Sequence, residues 1–478
     1  MVDFLPTEIE NQIEAHRQLQ IRQRPAFQRL DKYYEGIHRL QQLQLAIPQE
    51  LEQFVVFVNW CRKSVDAVEN RLDLLGFRLQ GKNTKDESLA ETWSYNDMWT
   101  EMTMSFLDAL SLSVGYIMVG TNEEDPEHPL ITVESPLEMS HIKDHRTKKL
   151  ESMFRTYDNV NGIDQRATFY GQDETYWLYR RSDSRWGIAD YDNHELGRVP
   201  GIAMINRPRT HRDPKFKTPG VSQMSDVIPI VDAAARALTN AQVAQETVAV
   251  PQRGVLGATK GDFVDQDGNP IPAWESYFGA VWALGNHEAK TFQFDAGDMK
   301  NFETIVNLYA RQASGVTGLP PNYFGLVSDD AASDSAIRSR ETQLVKFAER
   351  EQDNFGNDIR KLAQIVDRFK TGEWSDDMRT VELVWRDAGT PTKGQVTDAA
   401  VKLMEADVLD RESVWEELNY SPGKIDQLKK RFEERDKLAL RAGVNGLLQG
   451  IGLDENGVPI GDGIPVGAGP TPPTGGAQ

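Results

Sequence analysis

Gly318-Leu319-Pro320-Pro321-Asn322-Tyr323-Phe324-Gly325-Leu326 runs directly into Val327-Ser328-Asp329-Asp330-Ala331-Ala332-Ser333-Asp334. The first stretch has the glycine and proline chemistry of a turn. The second is small and acidic, and no Lys or Arg follows Gly318 until Arg338. After it, Leu344, Phe347, Phe355, Ile359, Leu362, Val366 and Phe369 recur at helical spacing. They predict one helix from about Ser335 to Phe369, ~50 Å long at ~1.5 Å per residue, with Gly356 as a point where it can bend. A shorter helix, about Met299 to Ser314, precedes the turn. The stretch is therefore an uncharged-to-acidic connection between two helices.

Working upstream, residues 252–295 read as a small strand-rich unit around the hairpin-type turn Asp267-Gly268. Before it, Ser222 or Ser225 can cap a helix that runs through Ala249, with Pro229 tolerated in an early turn. Its middle, Val231 to Leu238, is alanine-rich and suits close packing, and Pro251 ends it. Residues Leu112 to Arg207 change period: Tyr116–Val119, Leu130–Val133, Ala167–Tyr170, Thr175–Leu178 and Pro200–Ile205 are β-rich runs between Asp/Asn/Gly/Pro clusters, predicting an antiparallel meander.

The first eighty residues read as helix. Thr7 and Glu10 fit a capping box, Pro25 opens a second helix that stops at Gly36, and a third follows Pro48. Its stripe, Phe54, Val58, Cys61, Val65, Val68, Leu72 and Leu75, places Cys61 in a core rather than at a reactive surface. Downstream of the long helix, Thr380–Trp385 reads as a strand, and two or three helices cover 393–448. The last 29 residues, from Gly450, hold nine Gly and five Pro and are expected to be disordered.

Composition narrows the function. The 478 residues carry a net charge of −20, with 39% hydrophobic and 26% charged residues. Such a balance supports folded cores and argues against a general nucleic-acid binder, which needs basic surface to displace phosphate counterions. A lone cysteine, Cys61, excludes an internal disulfide. The N-terminus lacks a signal-peptide pattern and no apolar run reaches the ~18–20 residues of a membrane span, so a soluble, cytoplasmic-type protein is expected.

The chain holds no GxxxxGK[ST], no GxGxxG between strand and helix, and no HExxH. His141 and His145 flank Asp144 in what reads as a turn before a strand, not a metal site. Asp265 to Asn269 has its glycine misplaced for a calcium loop. Gly220 to Met224 lacks the second glycine of a nucleophile elbow. No catalytic residue, metal ligand or cofactor is assigned. One local reversal of charge stands out: Arg207, Arg209, Arg212, Lys215 and Lys217, with Asp213 the single acid. It reads as a phosphate contact or as a solvated loop before a helix.

Several segments, in this order, resemble the portal proteins of tailed double-stranded DNA bacteriophages, most of all those of actinobacteriophages: Tyr33-Tyr34-Glu35-Gly36, Asn59 to Val68 running on to Leu75-Gly76-Phe77-Arg78, Val199-Pro200 through Asn206-Arg207-Pro208, Ser225 to Pro229, Gly318-Leu319-Pro320-Pro321, and Arg386 to Pro391. The resemblance spans about residues 25–440. It implies an α+β chain of portal-like architecture: a helical and β-rich wing (1–221), stem helices (222–250 and 298–317) around a small strand-rich clip (251–297), a tunnel-loop region (318–336), a long wing helix and return strand (337–390), a helical crown (391–449) and a disordered tail (450–478).

The resemblance further implies a non-enzymatic, dodecameric ring at one capsid vertex of the virion, assembled in the host cytoplasm, for genome packaging, DNA retention and ejection, and head–tail joining. Implied partners are further copies of the chain, the major capsid protein and scaffold, the terminase large subunit, a head–tail adaptor, and duplex DNA in the channel, with no membrane. Leu326, Val327, Ser328, Asp329, Asp330, Ala331, Ala332, Ser333 and Asp334 fall where the family has its tunnel loop. Three aspartates and no cation would keep a sliding polyanion from binding; an ordinary helix–helix loop is the other reading. The alternatives are another virion ring, such as a head–tail adaptor, and a soluble carboxylate-dependent hydrolase.

Overall fold

The computed structural model describes residues 5–37, 56, 58–79, 86–210, 217–248, 253–257, 290–293, 299–326, 334–389, 393–418, 420 and 422–450. Helix α1 (Thr7–Glu35) is continuous. Pro25 lies inside it, where a second helix was expected to start: one lost hydrogen bond is outweighed by burial of Gln20, Gln23 and Phe27 on either side. Nor does Thr7 cap the helix. The N-cap is Pro6, which makes no side-chain cap bond, and Glu8 and Glu10 instead place negative charge at the positive end of the helix dipole. Gly36, at φ 72°, ends α1 as expected.

The third helix is shorter than its stripe. α2 (Trp60–Glu69) is capped by Asn59, whose side chain accepts from the Arg62 N–H. Cys61, Val65 and Val68 are buried on it as expected. Leu72 and Leu75 continue the spacing only by coincidence, since Leu72 follows the helix and Leu75 belongs to strand β1 (Leu74–Arg78). Phe54 lies outside the described residues. Two helices follow, α3 (Glu87–Tyr95), capped by the Asp86 side chain on the Leu89 N–H, and α4 (Met98–Leu112).

The expected meander forms two antiparallel sheets. β2 (Val114–Gly120) lies between β3 (Leu130–Glu134) and β9 (Gly201–Ile205). Its run Val-Gly-Tyr-Ile-Met-Val is buried throughout, as a central strand covered on both faces must be. β4 (Met139–Lys143), β5 (Leu150–Val160), β6 (Ile163–Tyr170), β7 (Glu174–Arg180) and β8 (Trp186–Asn193) make a five-stranded sheet in sequence order. Phe154, Ala167, Phe169 and Leu178 on its inner face pack with Ile13 of α1.

α5 (Ile228–Val248) and α6 (Lys300–Thr317) flank a short antiparallel pair, β10 (Arg253–Leu256) with β11 (Lys290–Gln293). Residues 258–289, including the expected Asp267-Gly268 turn, are outside the described set. α7 (Asp334–Thr371) is the predicted long helix, 38 residues. β12 (Glu382–Trp385) then returns to pair with β1. α7 runs through the largest core. Phe355, Ile359, Leu362 and Val366 are buried there with Phe77, Trp93 and Phe106, and the Phe106 and Phe355 rings stack at 5.8 Å. Gln352 pins both sides of that core, donating to the carbonyls of Arg71 (2.8 Å) and Arg386 (3.2 Å).

These elements form one unit, Met1–Thr390. The second unit, Pro391–Gln478, holds α8 (Lys393–Glu405), α9 (Arg411–Glu417) and α10 (Pro422–Gly450). Trp415 packs on Phe432 at 5.3 Å, Arg411 lies over the same ring, and Lys429 pairs with Glu412 at 2.8 Å. The expected tail beyond Gly450 is outside the described residues. The chain is thus mixed helix and sheet, as the sequence predicts.

Candidate functional site

Segment 327–333 lies between two anchored ends. α5 and α6 pack against each other, with Val231, Ala234, Ala310 and Ala313 buried; small side chains let two helices come close. α6 stops at Gly318, whose φ of 71° is left-handed and whose N–H bonds Ser314 O at 2.9 Å. A Cβ there would meet the Gln343 side chain at 2.7 Å. The Ser314 hydroxyl donates to Leu319 O at 2.7 Å. Pro321–Phe324 form a 3-10 turn, and buried Phe324 meets Trp60 edge-on at 5.8 Å. Leu326 is half-buried against the main core.

On the far side, Asp334 is the first residue of α7. Glu341, early in that helix, accepts from the Tyr323 hydroxyl at 3.4 Å and pairs with Arg71 at 3.3 Å. Turn and helix are thus tied to each other and to the end of α2. Of the nine residues singled out from sequence, Leu326 and Asp334 bound the segment, and Val327, Ser328, Asp329, Asp330, Ala331, Ala332 and Ser333 lie outside the described residues.

A second tie joins α1 to α5. The Tyr33 hydroxyl donates to both carboxylate oxygens of Asp232, each at 3.0 Å. Burial first, then Asp232, raises the phenol pKa above its ordinary value. Burial and the Asp232 charge also push the Cys61 thiol up to about 12, so it is a protonated core residue at neutral pH. Asp232 was legible in sequence only as the lone acid of the alanine-rich run.

The basic segment is closed at its base. Asn206 donates from its side chain to Val221 O (2.7 Å), and the Val221 N–H returns to Asn206 O (3.1 Å). Gly220 sits so close that a Cβ would lie 2.3 Å from Asn206 O and 2.6 Å from Ser113 O, leaving room for glycine alone. Arg207 (φ 48°) is engaged within the chain, 3.3 Å from Asp226 and over the Phe347 ring. Arg209 and Lys217 are exposed; Arg212 and Lys215 lie outside the described residues.

Two histidines differ from expectation. His141 is in β4, not in a turn, and its Nδ1 is 2.7 Å from the Tyr116 hydroxyl. His16 of α1 lies between Ser140 and Ser152, each 2.9 Å away. Burial brings the pKa of both down to about 3, so both are neutral. The Ser222 hydroxyl accepts from the Met224 N–H at 3.1 Å in the turn before α5; α5 begins at Ile228, after both Ser222 and Ser225, so neither is the N-cap expected from sequence, and Ser222 serves the turn instead. Among the described residues, no group of three or more His, Cys, Asp or Glu is arranged to hold a metal ion.

Residues 13–437 match the family model "Phage portal protein, SPP1 Gp6-like". The chain is 30% identical over 419 residues to the portal protein of Mycobacterium phage D29, covering 85% of each, and 30% identical over 421 residues to that of Mycobacterium phage L5, also 85% of each. The chain belongs to the phage portal protein family, and these relatives come from phages of actinobacteria, as the sequence segments predict. The family is a structural one, and its members are components of the virion. Chains from the neck of an empty gene transfer agent (GTA) particle and from the native GTA virion are similar at a TM-score of 0.43 and 14% identity, over 78% of this chain and 94% of theirs.

Proposed function

We propose that this portal protein closes into a ring, with roughly twelve-fold symmetry, around a channel for duplex DNA at one capsid vertex, and that residues 326–334 line its narrowest part. The observation that carries the reading is the acidic, cation-free segment 327–333 held between the fixed turn at Pro321–Phe324 and the start of α7. A segment with fixed ends can project without dragging the core, and repulsion between its aspartates and phosphate favours sliding over sticking. In this reading α5 and α6 are stem helices, β10–β11 with the residues between them the clip, α8–α10 the crown, and the remainder of the first unit the wing. The ring acts without catalysis of its own. The terminase large subunit supplies ATP hydrolysis, capsid protein and scaffold hold the ring, and a head–tail adaptor later takes the motor's place.

A triple variant, Asp329→Lys with Asp330→Lys and Asp334→Lys, tests the channel assignment. Rings should still assemble, DNA-filled particles should fall at least ~10-fold, and raised salt should restore part of the loss, because each added cation steepens the salt dependence of phosphate contact. Unchanged filling at low salt contradicts the assignment. Exposed Arg209 and Lys217, with Arg212, are proposed to face capsid or a neighbouring subunit. Reversing their charge in the same assay should abolish incorporation, and an unchanged titre counts against that role.

A further inference from the structure

Residues 15–30, most of α1, contain Arg17, Arg22, Arg24 and Arg29 and no acid, in a chain whose net charge is −20. The outward face of this stretch lines a groove of about 430 Å³, closed on the other side by the tip of the β5–β6 hairpin and by β7 and β8. Its charged lining is Arg17, Arg24 and Arg180 against one acid, Asp164. Arg17 leans on Glu14 at 3.0 Å, and Arg24 donates its Nε–H to Leu137 O at 3.2 Å while its guanidinium end lies 3.7 Å from Asp164. Arg180 lies over the Trp186 ring at 5.0 Å and forms no ion pair among the described residues. Apolar groups share the groove: Ile21 is 63% exposed and Ile163 53% exposed.

Two further observations mark the groove as incomplete. Thr156 and Trp186 both line it, are only 3% and 9% exposed, and have Oγ1 and Nε1 without hydrogen-bond partners among the described residues. Buried polar atoms left unpaired are costly and uncommon in native folds. Both the Thr156 hydroxyl and the Trp186 indole N–H are donors. Arginines beside unpaired donors fit carboxylates, and large exposed apolar side chains mark interaction surfaces.

We infer that this groove is a docking site for an acidic amphipathic peptide segment of a partner protein, its carboxylates on Arg17, Arg24 and Arg180 and an aliphatic side chain between Ile21 and Ile163. Duplex DNA fits less well: it has no use for the exposed isoleucines, and at ~20 Å across it is too wide for a groove of side-chain size. The inference does not depend on the channel reading and fails independently of it.

The test is fluorescence anisotropy on the full-length protein, as free chain and as assembled ring. The probe is a labelled 16-residue helical peptide with leucines four apart beside four glutamates. Its counterpart with glutamine at those four positions and a 16-base-pair duplex serve as competitors. The glutamate peptide should bind both forms in the micromolar range and the glutamine peptide at least 10-fold more weakly. Arg24→Glu with Arg180→Glu should weaken binding at least 10-fold, as should Ile21→Asp alone, while Arg379→Glu, on a distant exposed turn, leaves it unchanged. Near-UV circular dichroism checks that each variant is folded. The inference is overturned if the glutamate peptide fails to bind, if it binds all variants alike, if the duplex displaces it in a salt-dependent way that marks a phosphate site, or if the assembled ring no longer binds it, which would assign the groove to a second copy of this chain.

Discussion

Phe355→Ala is expected to lower stability by about 3–5 kcal/mol, the usual cost of emptying a large aromatic from a packed core. Phe355 is fully buried midway along α7, stacked on Phe106, and Phe106 also contacts Trp385 of β12. The ring therefore joins the long helix to α4 and to the returning strand. Against a typical margin of about 5–15 kcal/mol, such a loss removes between a fifth and the whole of the stability. Thermal and urea unfolding of the purified chain measure it. Leu438→Ala is the comparison, because Leu438 is 65% exposed and its truncation should shift stability by no more than ~0.5 kcal/mol. A Phe355→Ala protein as stable as its parent would mean that α7 does not organise this core.

The second large effect is a pH dependence made of opposing parts. His16 and His141 have folded pKa values near 3, below the ordinary 6.5, because burial excludes their charged forms. Lys143 adds to the effect on His141, as does His16 itself. Their stabilising contribution is fully present above about pH 6.5 and declines as pH falls toward 3. Asp108 behaves oppositely: burial, with the charge of Asp31, raises it to about 7, so its contribution is present below about pH 4 and lost as pH rises through 7. Glu69, raised to about 7 by burial and by Asp66 and Asp73, adds a smaller term of the same sign because it is more exposed.

Between pH 5 and 6.5 the two sets offset one another and flatten the wild-type profile. Replacing both His16 and His141 by glutamine should therefore tilt the urea-unfolding profile toward acid, by roughly 2–3 kcal/mol per pH unit relative to wild type. Asp108→Asn should tilt it the other way by about 1.4 kcal/mol per pH unit. The slope is the readout, so a general loss of stability in a variant does not obscure it. Parallel profiles for all three proteins would show that these groups do not titrate with folding.

How much was legible in sequence follows from which physics each segment obeys. The β-rich region was readable because side chains alternate along β5–β8 and Asp/Gly turns separate the runs; Asn161-Gly162, with both φ values positive, turns the β5–β6 hairpin. The long helix α7 was readable because one face is buried and the other solvated, leaving a stripe. α4 is less clear: Met98, Met102, Phe106, Ala109 and Leu110 are buried at helical spacing, but the apolar Trp99 and Met104 are exposed and blur the stripe. Pro25 and the stripe past Glu69 misled for the same reason: local rules give way to tertiary packing, which carries α1 through a proline and places Leu72 in the core after α2 has ended.

The candidate site was legible as composition rather than as geometry. Three aspartates without a cation and a turn rich in glycine and proline locate the segment, but nothing in those residues announces the anchors. Trp60 meets the turn from far back in the sequence, Arg71 reaches it through Glu341, and Tyr33 finds Asp232 across 199 residues. Arg207 looked like part of a free basic cluster and is instead held by Asp226 and Phe347, a partnership only the fold creates.

Mass photometry of the purified chain, with negative-stain images of the same sample, tests the central claim most directly. Closed rings at roughly twelve times 53.9 kDa are expected, with a central hole wide enough for duplex DNA, ~20 Å across. A compact dimer or tetramer without a hole would contradict that claim.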